Sequence, residues 1–125
     1  MSRQGDARPH LDKAEEFLEA AKVVLEYESF NAACSLAVTS GINSKDVICI
    51  LSVGYTDKSD NHGKAVADLK KSGPVGAKMA PTLSRLLSKK AKSQYAAPSV
   101  TAQDANDAVK QAERFYYEAK LLFTS

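Results

Sequence analysis

Within Met79 to Tyr95, MAPTLSRLLSKKAKSQY, a lysine stands where the helical repeat calls for an apolar residue. At about 100° per residue, Met79, Leu83, Leu86 and Leu87 share one side of a helix. Lys90 projects from the middle of that side, with Gln94 one turn further on. A charge in that place needs a counter-charge or a ligand. Near a helix C-terminus its aliphatic stem can lie along the core while the amine rises to water, where the helix dipole favours a cation. The functional alternative directs the amine into a cleft between helices or subunits. There it holds a phosphate or pairs with an acid such as Asp46.

Other chemistry is sparse. His10 and His62 lie in an N-terminal leader and at the start of a short helix, without ligand-spaced cysteines or carboxylates, so no metal site is expected. His62 reads as a surface or capping histidine, with a hydrogen bond to a neighbouring loop as the alternative. Gly73-Pro74-Val75-Gly76-Ala77-Lys78 lacks the glycine spacing, the Lys-Ser/Thr ending and the preceding strand of a phosphate loop. No GxSxG elbow occurs, and no histidine is placed by sequence to activate Ser40 or Ser44. Cys34 and Cys49 fall on one helix about 22 Å apart, too far for a disulfide, and read as reduced structural thiols.

The elements that must position Lys90 are all helical. Residues 1–9 read as a flexible leader ending at Pro9, which suits a helix start. Residues 10–125 then form a single domain. Leu11, Ala14, Leu18, Ala21 and Leu25 make one amphipathic face, with Asp12, Glu15, Glu16, Glu19 and Glu26 elsewhere. Ser29 caps a second helix running to about Val53. One side carries Ala33, Leu36, Ala37, Ser40, Ser44, Val47, Ile48 and Leu51, and the opposite side is also apolar, with Cys34, Val38, Ile42 and Cys49. Such a helix is central in its bundle or shared with a second subunit, and Gly41 admits close approach of another backbone. Asn61 or Asp60 caps a third, short helix. A fourth covers about 75–95 with a kink or restart at Pro81, and Thr101 with Asp104 opens a fifth as a capping-box-like start. The fold class is therefore all-α, a four- to five-helix up-and-down antiparallel bundle.

A chain of 125 residues, 44% hydrophobic and 26% charged, matches a folded soluble domain. The apolar patch Val47–Val53 is far shorter than the ~20 residues of a membrane span, and the polar N-terminus lacks a secretory signal. These features predict a cytoplasmic protein with no membrane contact. The net charge of +2 conceals an asymmetry, because the first helix is acidic whereas Lys64 to Lys92 is basic. Lys78, Arg85, Lys89 and Lys92 fall within about 60° on a helix and form a stripe able to attract phosphates. A solvated helix face, or one neutralised by the acidic first helix, is the alternative, because no nucleic-acid-binding signature accompanies the stripe. Tyr95 is the one aromatic near it.

Five segments together resemble the HEPN family of small helical domains, found in prokaryotic toxin–antitoxin systems and beside nucleotidyltransferases. They are an acidic first helix AEEFLEAAKVVLEYES, a small-residue second helix FNAACSLAVTSGINSKDVIC, a short helix opened by DNHGKAV, then LLSKKAKSQY and a closing TAQDANDAVKQAERF. The resemblance implies a four- to five-helix bundle that dimerises. Active members are metal-independent RNA endonucleases with Arg-x4-6-His near the end of the penultimate helix and a cleft across the dimer. This chain departs from that motif: Lys90 stands near the arginine, and Gln94 or Tyr95 near the histidine. Glutamine cannot shuttle a proton at neutral pH, whereas lysine still holds phosphate. The implied function is a noncatalytic, homodimeric nucleotide- or RNA-associated module, antitoxin-like or regulatory, with no cofactor. Lys90, Gln94, Tyr95, Arg85, Lys89, Lys92 and Asp46 are its binding residues. A metal-independent ribonuclease and a scaffold that binds only a protein partner are the rival readings.

Overall fold

A computed structural model describes residues 2–94 and 99–125, with Gln94 described by its backbone only. Among the described residues the regular elements are five helices: α1 (Arg3–Glu26), α2 (Phe30–Val53), α3 (His62–Lys70), α4 (Gly73–Gln94) and α5 (Ala102–Thr124). Long-range pairings fix their directions. Arg3 reaches the carbonyls of Leu51 and Ser52, and Ser40 donates to the Ala14 carbonyl at 2.7 Å, so α1 and α2 are antiparallel. Lys78 meets Glu118 and Lys92 meets Asp104, which makes α4 and α5 antiparallel as well. The expected all-α up-and-down bundle is present, with α3 a short bridge between α2 and α4.

The double apolarity of α2 has a direct cause: every other helix packs on it. Its buried residues include Ala33, Cys34, Ala37, Val38, Val47, Ile48 and Cys49, drawn from both sides of the helix. By length and composition α2 is long and apolar enough to cross a membrane, which the short Val47–Val53 patch did not suggest. Its neighbours in this chain cover most of that surface. Gly41 is a point of close approach, since a Cβ there would lie 2.6 Å from Leu86 Cδ1 and 3.7 Å from Phe115 Cδ2. The close neighbours are side chains of α4 and α5, not another backbone.

Two boundaries differ from expectation. The leader ending at Pro9 is instead about the first two turns of α1. Ser2 caps it by accepting from the Gly5 amide at 2.9 Å, Ala7 is fully buried, and Gln4 donates to the Phe123 carbonyl. Pro9 is exposed, as is Gly5, whose carbonyl it leaves without a helical donor, so the proline sits on the solvent side of the helix. The same holds for Pro81 and Ala77, and α4 runs through Pro81 without the expected restart. The caps at Asn61 and at Thr101 with Asp104 form as expected, whereas the Ser29 side chain makes no capping bond.

Ser44 lies in the core of α2 with its hydroxyl unpartnered among the described residues. A buried hydroxyl without a hydrogen bond is a net cost, and alanine is the better helix former. Ser44→Ala is therefore expected to stabilise the fold by about 1 kcal/mol, read as a higher urea midpoint at unchanged slope.

Candidate functional site

The polar break in α2, Lys45-Asp46, opens onto a cleft of about 270 Å³ walled by α1, α2, the 54–61 connector, α3 and α4. Both side chains are nearly inaccessible, at 4% for Lys45 and 8% for Asp46. Lys45 Nζ lies 2.7 Å from Asp46 Oδ1 and donates to Thr56 Oγ1 and to the Asp57 carbonyl, each at 2.9 Å. An ammonium has three donors, and all are spent. Thr56 in turn donates to Asp46 Oδ1 at 2.6 Å. This compensated buried pair ties the connector to α2 and so builds one wall of the cleft. The next turn of the connector is held by Asp57, which pairs with Lys64 and accepts from the Ser59 amide at 2.7 Å.

On the opposite wall, α1 presents His10 and Lys13, one turn apart on the same face. His10 Nδ1 sits 3.5 Å from both Asp46 Oδ2 and Asn43 Oδ1, so the imidazole is seated against α2. His62 enters from the first residue of α3, placed there by the Asn61 cap. The apolar floor comes from Ile42, Ala65, Leu83 and Leu87.

Lys90 lines this cleft beside Leu83 and Leu87 and is neither buried nor fully exposed. Its amine has no ion pair or hydrogen bond among the described residues, and it does not pair with Asp46, whose oxygens face Lys45, Thr56 and His10. Once the internally matched Lys45–Asp46 and Lys64–Asp57 pairs are set aside, Lys13, Lys58 and Lys90 face a single acid, Asp60. The cleft is a cationic pocket with an apolar floor. All of its lining residues come from one chain.

The remaining expected residues separate from it. Lys78 pairs with Glu118 at 2.7 Å, Lys89 with the Gln111 carbonyl oxygen at 3.1 Å and Lys92 with Asp104 at 2.7 Å. The basic stripe is thus laid against α5 rather than the acidic α1, with Lys78 and Lys92 neutralised by acids of α5 and Lys89 bonded to an uncharged amide. Lys92, with the Thr101 amide, holds the Asp104 carboxyl below the usual carboxylate range. Arg85 is exposed, away from the cleft lining. The side chain of Gln94, and Tyr95 altogether, lie outside the described residues. Burial pushes both cysteine thiols above their ordinary pKa, which suits inert core residues.

Sequence reasoning missed His10, Lys13, Lys45, Lys58 and His62. The one local signal was Lys45-Asp46, an adjacent charged pair inside an otherwise apolar helix. No group of three or more His, Cys, Asp or Glu residues able to hold a metal ion occurs among the described residues. The chain matches no protein-family model, and no curated protein is significantly similar to it.

Proposed function

We propose that this chain is a HEPN-like cytosolic binding or regulatory module, antitoxin-like in kind, whose cleft takes a phosphorylated ligand, a nucleotide or a phosphate of RNA. The observation that carries this reading is the unengaged Lys90 amine, set beside an apolar floor and facing His10 and Lys13. An ammonium without a counter-charge among the described residues favours an anion, and Leu83 and Leu87 offer surface to a ribose or base. Lys90→Met is expected to fold normally and to weaken adenosine 5′-monophosphate or single-stranded RNA binding at least about tenfold, measured by calorimetry at low salt. Lys89→Met, whose amine already serves Gln111, is expected to bind as the wild type does. Equal affinity in the Lys90 and Lys89 variants would refute the assignment, and no retention of any nucleic acid at low salt would favour the protein-only scaffold.

One observation favours a second reading, metal-independent RNA cleavage: two imidazoles, His10 and His62, line the same cleft. They supply the proton acceptor and donor that Gln94 does not. One would take the 2′-hydroxyl proton and the other protonate the departing 5′ oxygen, leaving a cyclic phosphate. Incubation with RNA in chelator tests it. Cleavage that disappears in both His10→Ala and His62→Ala supports the enzyme; intact RNA with the wild-type protein leaves the binding module.

A further inference from the structure

The cleft does not end at His62. On the far side of that residue a second groove of about 390 Å³ runs between α3 and α4, lined by His62, Gly63, Val66, Ser84, Leu87 and Ser88. His62 and Leu87 line both spaces, so the two adjoin across a shared sill. Their chemistry differs. The cleft gathers Lys13, Lys58 and Lys90, whereas apart from His62 the groove is lined by uncharged residues only, an apolar floor of Val66 and Leu87 edged by two serine hydroxyls. Gly63 lines it without crowding, since a Cβ built there would meet only Asn61 Oδ1, at an ordinary 3.6 Å, and a larger side chain is tolerated.

We propose that the cleft's ligand is a single-stranded chain of at least two nucleotides, with one phosphate at Lys13 and Lys90 and the neighbouring base in the α3–α4 groove. This rests on the reading of the cleft as a nucleotide site and extends it. At about 270 Å³ the cleft is at the small end of ligand pockets and is filled by one nucleotide. A cationic seat followed by an uncharged apolar slot repeats the alternation of phosphate and base along a strand. Within that slot the base lies against the His62 ring, Val66 and Leu87, and the serine hydroxyls meet its edge. Such contacts are tolerant of base identity, so the groove confers a preference for chain length over sequence.

The test compares three probes by calorimetry: 2′-deoxyadenosine 5′-monophosphate, the 5′-phosphorylated deoxyadenosine dinucleotide, and deoxyadenosine 5′-diphosphate as a control for added charge. The 2′-deoxy sugars prevent any transesterification. The wild type is expected to bind the dinucleotide about tenfold tighter than either mononucleotide. Gly63→Leu, which adds bulk at the groove lining, is expected to erase that advantage while leaving monophosphate affinity unchanged. Ser84→Leu on the opposite wall is the independent check, and unchanged far-UV circular dichroism shows that both variants fold. If the diphosphate binds as tightly as the dinucleotide, or the advantage survives both variants, the groove is not a base subsite and the cleft reading stands alone. If no probe binds the wild type, the cleft reading fails and takes this proposal with it.

Discussion

Asp46→Ala is expected to cost about 3–5 kcal/mol of folding stability, the usual penalty for removing one partner of a buried ion pair. The loss arises less from the missing attraction than from what remains. Lys45, 4% exposed, keeps a charge whose remaining partners are the Thr56 hydroxyl and the Asp57 carbonyl, and Thr56 loses its acceptor. For a domain whose total stability is about 5–15 kcal/mol, this is a large share. Lys45→Met combined with Asp46→Ala is expected to recover at least half of the loss, because no charge is then stranded. Urea unfolding of the wild type, both single variants and the double gives the coupling directly. A loss below about 1 kcal/mol for Asp46→Ala would mean that the pair is effectively solvated. The double variant also separates structure from function. Without the ammonium that bonds Thr56 and Asp57, the connector loses its tie to α2, so ligand affinity is expected to stay low even where stability returns.

The second large effect is expected at Gly76, where alanine should cost about 3 kcal/mol or more. A Cβ at that position would sit 2.2 Å from the Leu69 carbonyl oxygen and 3.1 Å from Ser72 Cβ. The obstacle is backbone at the C-terminal end of α3, which cannot rotate aside. Gly41→Ala provides the comparison, because its 2.6 Å neighbour is the terminal methyl of Leu86, which has other rotamers. It is expected to cost clearly less. Thermal unfolding of the two variants side by side checks the ordering, and a Gly76→Ala melting temperature at or above that of Gly41→Ala would overturn it. Forcing α3 away from α4 also moves His62 and Ala65, so a folded remnant of Gly76→Ala should bind ligand poorly. Gly76 belongs to the segment that superficially suggested a phosphate loop. Its role is to let two helices touch.

The sequence was informative wherever the physics is local. Helical periodicity, the caps at Asn61 and Thr101 with Asp104, the two-sided apolarity of α2 and the place of Lys90 on an apolar face all follow from residues within a turn or two of one another. The basic stripe was legible too, but its partners were not, because Glu118, Gln111 and Asp104 lie 12 to 40 residues away and reach it only when α5 docks antiparallel to α4. Pro9 and Pro81 misled for a related reason. The cost of a missing donor depends on whether the orphaned carbonyl meets water or protein, and only packing decides which side of a helix is wet. The cleft is the extreme case. His10, Lys45, Asp57, His62 and Lys90 come from five separate segments, and no spacing in the chain relates them. Their convergence is set by how α1, α3 and α4 seat against α2, a consequence of side-chain volumes at contacts such as Gly41 with Leu86 and Gly76 with Leu69.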